Sequence, residues 1–209
     1  MAQAERKDSG LFITFEGPEG AGKTTQITLL EQRLATQGRT VTRTREPGGD
    51  SVGERVRELL LNGSPGVEAE LLLFAAARAQ NVQTVVRPAL EAGHVVLCDR
   101  FIDSTVAYQG FARGLNRDFI NRINVFATGG LMPDRTYLLD LPVADGLLRR
   151  HQDTEQNRLD RESLSFHEKV RDGFLSLVQD NTQRIILIDA SRSVDAVSRD
   201  LWESIQQLL

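Results

Sequence analysis

Short apolar runs rich in β-branched and aromatic residues alternate along the chain with stretches in which apolar positions recur every three or four residues. Leu11–Phe15, Thr40–Thr44, His94–Cys98, Thr136–Leu141 and Arg184–Ile188 have the first character and are predicted strands. Several are apolar throughout rather than alternating, as in a parallel sheet covered on both faces. Between the first two, Ile27, Leu30 and Leu34 fall at helical spacing, and Gly38 stands where that helix should end. A longer helical stretch runs from about Glu68 toward Pro88 and stops by Gly93; another spans about Arg117 to Ala127, ahead of Gly129-Gly130. The charged stretch from Arg149 to Glu162 has weak periodicity and reads as a mobile loop. The expectation is an α/β fold, a five-stranded parallel sheet doubly wound by helices on both faces.

Composition narrows this to one body. With 209 residues, 40% hydrophobic and 26% charged, the chain can bury one sizeable core and carries no obvious linker, so 11–209 is read as a single domain behind a polar, disordered tail at 1–10. A formal net charge of -4 speaks against tracking a nucleic-acid backbone, so a nucleotide ligand would be small and no nucleic-acid partner is expected. The single cysteine, Cys98, lies inside an apolar run and reads as a buried strand residue in a reducing compartment. Neither a signal sequence nor an apolar run of membrane-spanning length is found, and the expectation is a cytoplasmic protein without a membrane partner.

One motif carries chemistry in its own right. Gly17-Pro18-Glu19-Gly20-Ala21-Gly22-Lys23-Thr24 matches G-x-x-x-x-G-K-[ST], directly after an apolar strand and directly before an amphipathic helix, where a phosphate cradle must lie. Its glycines let backbone N–H groups turn toward phosphate oxygens, Lys23 reaches the β and γ phosphates of ATP, and the Thr24 hydroxyl ligates Mg²⁺, with Thr25 continuing the ATP loop. Val95-Val-Leu-Cys-Asp99 ends an apolar strand in a carboxylate suited to the same Mg²⁺, although many buried strands end in Asp. Phe74 and Arg78, four residues apart on a predicted helix, share a face on which a ring could stack on a base while a guanidinium donates to its carbonyl. Core packing is the plain alternative for Phe74, as a solvated helix charge is for Arg57.

In five segments, spread from Leu11 almost to the carboxyl terminus, the chain resembles thymidylate kinases: FEGPEGAGKTT (Phe15 to Thr25), TREPGG (Thr44 to Gly49), LLFAAARAQ (Leu72 to Gln80), DRFIDSTVAYQG (Asp99 to Gly110) and NRLDRESLSFHEKV (Asn157 to Val170). The resemblance implies a P-loop NTPase fold with a mobile lid at about 149–162, and transfer of a phosphoryl group from ATP to dTMP. It implies that Phe74 and Arg78 hold thymine, that Arg57 and Arg100 meet the acceptor phosphate, and that Tyr108 crowds the 2′ position while Gln109 meets the base, assisted by Ser104. It turns Glu19 toward the acceptor sugar, with Glu46 in the same wall, and it implies a homodimer. Because GPEGAG lacks a basic residue, the closing arginine is expected from the lid, as in bacterial relatives: Arg158 first, Arg149 second, with Arg150 and Arg161 behind them.

A phosphate monoester, with a second pKa of about 6, is already ionised near neutral pH and needs no general base. His94, His151 and His167 therefore receive no catalytic role. Rival readings are a deoxynucleoside kinase, which would need a carboxylate base for a sugar hydroxyl, another nucleoside monophosphate kinase, and a silent ATP-binding module.

Overall fold

The structure, a computed structural model, describes residues 10–151 and 156–209. The proposed tail at 1–9 and residues 152–155 of the proposed lid lie outside the described residues. Strands β1 (Leu11–Glu16), β2 (Val41–Arg45), β3 (Val95–Asp99), β4 (Arg135–Asp140) and β5 (Ile185–Asp189) form one parallel sheet in the order β2-β3-β1-β4-β5. All five predicted strands are present within a residue of their expected ends. The pairing aligns Phe15 with Asp99 and Arg45 with Asp99, so β1, β2 and β3 finish level with one another.

Alternate residues of β1 enter opposite layers, as the strand period requires. Ile13 and Phe15 pack with Ile27, Leu30 and Leu34 of α1 (Lys23–Thr36) and with Val197, Leu201 and Trp202 of α9 (Val194–Ile205). Phe12 faces the other way, edge-on to Phe101 with ring centroids 5.0 Å apart, among Val82, Val86 and Cys98. Full burial of each such side chain is worth about 1.5–3 kcal/mol. Between β4 and α8 (Leu164–Asp180), Leu138, Phe166, Val170 and Phe174 complete that second layer.

The helix expected from Glu68 is α3 (Val67–Asn81), which runs through a π-helical stretch, Val82–Val86, into α4 (Arg87–Glu91). A second π-helical stretch, Val106–Ala112, follows the short α5 (Ile102–Thr105). Periodic reading misses these wide turns because their bonds run from i to i+5. Asp50, which the sequence left without a role, caps α2 (Ser51–Asn62), accepting from the Gly53 amide at 2.6 Å. The helix read at 117–127 is α6 (Arg117–Thr128), ending at Gly129 with a left-handed φ of 58°. Beyond β4 come α7 (Val143–His151) and a 3₁₀ turn, Leu159–Arg161.

Candidate active site

Three loops meet where β1, β2 and β3 end, beyond the carboxyl edge of the sheet, the usual ligand position of such folds. The phosphate loop leaves β1 at Gly17 and enters α1 through Gly22, whose φ of 82° keeps the helix amino terminus open. Lys23 folds back so that its ammonium donates to the carbonyls of Gly17 at 3.1 Å and Pro18 at 2.9 Å. Burial foremost, then Arg100, lowers the Lys23 pKa to about 8, against the pull of Glu19 and Asp99. Thr24 Oγ1 donates to Asp99 Oδ2 at 3.1 Å, which brings the two expected metal oxygens together.

Arg100 follows Asp99 in a left-handed conformation, φ 68°. Its guanidinium donates to Gly17 O at 3.0 Å, Ser104 Oγ at 3.2 Å and Glu19 Oε1 at 2.8 Å. The Tyr108 hydroxyl donates to the same Glu19 oxygen at 2.8 Å. Burial alone would raise the Glu19 carboxyl, but Arg100, then Lys23 and Tyr108, bring it down to about 2.

These groups line a cavity of about 1110 Å³, above the roughly 300–1000 Å³ of a single small-ligand site. Gly20, Ala21, Gly22, Lys23, Thr24 and Thr25 form its phosphate-loop wall, with Glu19 and Arg100 at the centre. On the far side stand Phe74 and Arg78 of α3 with Ser104, Tyr108 and Gln109. Glu46, Arg57, Asp99 and Arg149 also line it. The structure therefore gathers nearly every residue chosen from sequence. Gly17 and Pro18 contribute through carbonyls that hold Lys23 rather than as wall residues.

Arg158, the first choice for the closing arginine, is not part of the wall: its guanidinium is bonded to Glu70 and to Leu60 O, the latter at 3.1 Å. Arg149 and Arg150 of α7 both line the cavity, Arg149 donating to Ala190 O at 3.4 Å and Arg150 pairing with Asp160 at 3.0 Å. Arg78, expected from sequence to meet the base, has buried protein partners of its own. Buried at 1% exposure, it donates to Glu46 at 2.7 Å, Thr105 at 2.9 Å, Asn124 at 2.7 Å and Phe101 O at 3.0 Å. Of the five N–H groups of a guanidinium those four bonds leave a single one. Glu46 spends its carboxylate on Arg78 and Asn81.

Sequence reasoning passed over several participants. Glu16, 0% exposed at the end of β1, accepts from Phe101 N at 2.8 Å, Ser104 N at 3.2 Å and Ser104 Oγ at 2.5 Å. A carboxylate closing a largely apolar strand was the available signal. Glu70 sits four residues before Phe74, on the face that Phe74 and Arg78 already marked. Ala190, Arg192, Ser193 and Val194, between β5 and α9, extend the cavity beside Thr25 and Gln26; nothing in their local pattern sets them apart.

A family model described as thymidylate kinase matches residues 15–201. A thymidylate kinase of Deinococcus radiodurans is 49% identical over 200 residues, spanning 95% of this chain and 97% of its own length. One of Bacillus velezensis is 48% identical over 206 residues, covering 96% and 97%. Among solved structures, a thymidylate kinase from Ehrlichia chaffeensis superposes with a TM-score of 0.80 at 32% identity, over 94% of this chain and 99% of that one.

Proposed function

Because the chain belongs to the thymidylate kinase family, we infer that it transfers the γ-phosphoryl group of ATP to dTMP, giving dTDP and ADP, a step in dTTP biosynthesis. The observation that carries this reading is one cavity with a phosphate loop at one end and Phe74, Arg78, Tyr108 and Gln109 at the other. A phosphate oxygen of dTMP attacks the γ-phosphorus while the bond to the ADP oxygen breaks; no proton has to be removed, since that oxygen is already ionised. Glu19, held at about 2 after Arg100 and Lys23 overcome its burial, is a poor base, which favours a monophosphate over a sugar hydroxyl as acceptor.

The loop from Gly17 to Thr25 cradles the ATP phosphates, with Lys23 at the β and γ groups. Arg57 and Arg100 take the dTMP phosphate; Arg57 is already drawn toward the cavity by a 3.0 Å bond to Pro47 O. Phe74 stacks on thymine and the remaining N–H of Arg78 meets its O4, while Gln109 meets the base with Ser104 assisting, Tyr108 crowds the 2′ position and Glu19 faces the sugar. Arg149 is the lid arginine that neutralises the transferring group, and Arg158 could follow only by leaving Glu70. Ala190, Arg192, Ser193 and Val194, which line the cavity beside the phosphate loop, receive the adenine end in this reading.

Mg²⁺ accompanies ATP in this reading. Thr24 and Asp99 offer a hydroxyl and a carboxylate 3.1 Å apart, hard oxygen donors of the kind Mg²⁺ takes alongside water and phosphate. Among the described residues no cluster of three His, Cys, Asp or Glu side chains could hold a metal by itself. Held by Thr24 and Asp99, the ion would supply neutralising charge to the phosphates of ATP.

The chain from 11 to 209 acts as one domain, with the segment at about 149–162 as its lid. A homodimer is supported by exposed apolar side chains on two packed helices, Leu72 of α3 and Val125 and Phe126 of α6. Among the described residues no helix is long and apolar enough to cross a membrane; cytoplasmic location completes the reading. The test is ADP release with ATP, Mg²⁺ and a panel of acceptors: dTMP, dUMP, dCMP, AMP, GMP and thymidine. Strong preference for dTMP with silence on thymidine is expected; equal use of thymidine and dTMP would return the deoxynucleoside kinase reading.

A further inference from the structure

The face of α3 that carries Phe74 and Arg78 continues to Glu70. The Glu70 side chain is 1% exposed, and three side chains share its two oxygens. Oε1 accepts from Gln109 Nε2 at 2.8 Å and from Arg113 Nε at 3.3 Å; Oε2 accepts from Arg113 Nη2 at 3.4 Å and from Arg158 Nη2. Burial by itself would raise the Glu70 carboxyl, yet Gln109, Arg158 and Arg113 together hold it below its ordinary value. At neutral pH it is an anion that can only accept hydrogen bonds.

An acceptor-only partner decides which end of an amide faces it. The NH₂ of Gln109 turns to Glu70, and its carbonyl oxygen becomes the atom Gln109 offers to the cavity it lines. Among the described residues no donor is bonded to that oxygen. Thymine and uracil carry a hydrogen on N3 that such an oxygen can accept; cytosine presents a bare N3, which would meet it lone pair to lone pair. We propose that Glu70 is a positioning residue for base specificity: it fixes the polarity of the Gln109 amide so that the acceptor end of the site selects pyrimidines with an N3–H. This rests on the reading of that end as the thymine seat. Glu70 itself need not touch the base.

The test compares kcat/KM for dTMP and for 5-methyl-dCMP, which keeps the methyl group, in wild type and Glu70→Gln. A glutamine at 70 can present either its oxygen or its NH₂, so the Gln109 amide is free to turn over. The expected result is a fall of about tenfold for dTMP without a matching fall for 5-methyl-dCMP, and an unchanged KM for ATP. The preference that remains comes from the group at C4. A role in packing alone would lower both pyrimidines together and leave their ratio where it was, and that result overturns the proposal. Should Glu70→Gln not fold, wild-type enzyme supplies the decision through 5-fluoro-dUMP, whose imide loses its N3 proton at lower pH than that of dTMP. Its affinity should drop at least tenfold as that proton leaves, over a range in which dTMP binding is steady; equal binding of the ionised imide overturns the proposal. A wild type that does not prefer dTMP over 5-methyl-dCMP at all would bring down the thymine-seat reading first, and Glu70 with it.

Discussion

Arg100 holds the only positive φ, 68°, among the described non-glycine residues, a conformation that costs an L-residue about 1–2 kcal/mol. Glu16 is what keeps it there. Its carboxylate collects the Phe101 and Ser104 amides and the Ser104 hydroxyl, closing the turn behind Arg100 so that the guanidinium reaches Gly17, Ser104 and Glu19. Burial, then the nearby Asp103, raises the Glu16 pKa from its ordinary 4.5 to about 7. A group raised in the folded state contributes stability that is complete below pH 4.5 and is lost as pH climbs through about 7. Melting temperatures of wild type and Glu16→Gln should therefore diverge with pH, the variant gaining on wild type between pH 4.5 and 7; a constant difference would mean that Glu16 does not titrate in that window. The two arginines proposed for the lid differ at the same scale. Arg149→Ala should lower kcat about 10²-fold with little change in the dTMP KM, whereas Arg158→Ala, which breaks the bonds to Glu70 and Leu60, should act more on the dTMP KM than on kcat. Steady-state kinetics at saturating and limiting dTMP separates these outcomes.

At the scale of elements, the phosphate loop is positioned partly by a helix that the motif does not include. A Cβ on Gly20 would lie 2.1 Å from Gly146 O, and one on Gly146 would lie 2.3 Å from Glu19 O. The loop and α7 thus pass backbone against backbone, and α7 also carries Arg149 into the cavity. Gly146→Ala should push the loop away, costing about 1–3 kcal/mol and raising the KM for ATP; thermal melting and ATP titration read both, and a silent substitution would show that the loop is held from elsewhere. The π-helical stretch at Val106–Ala112 is the other element that matters, since it carries Tyr108 and Gln109, both buried, into the cavity wall. The sequence segment DRFIDSTVAYQG marked these two residues without indicating the wide turn, because i to i+5 bonding has no apolar period of its own.

For the whole molecule, the exposed apolar residues bear on the proposed homodimer. Phe126 is 89% exposed and Val125 59%, and α6 packs on α3, where Leu72 is 58% exposed. Apolar side chains this open on adjoining helices mark an interaction surface. If the proposed homodimer forms through this face, wild type should sediment as a dimer at micromolar concentration and Phe126→Glu as a monomer of unaltered fold; a wild type that sediments as a monomer would end the homodimer reading. The net charge of -4 bears on the same scale, leaving small anions that the site itself neutralises as the suitable partners.

Alone, the sequence determined whatever depends on neighbours along the chain: the apolar runs that became strands, the helical period of α1, α3 and α6, and the glycine-rich loop whose backbone needs both its glycines and the helix that follows. It also named most of the cavity wall, because the five family segments are themselves local. The partnerships of those residues were decided only by the tertiary structure. Arg158 reached Glu70 across 88 positions, and Arg78 reached Glu46 and Asn124 across 32 and 46. A guanidinium or carboxylate reads the same in sequence whether it faces a substrate or a buried partner. Buried polar groups must be satisfied by whichever donors and acceptors the packing of the sheet brings within about 3 Å, and that distance exists only once the chain has folded.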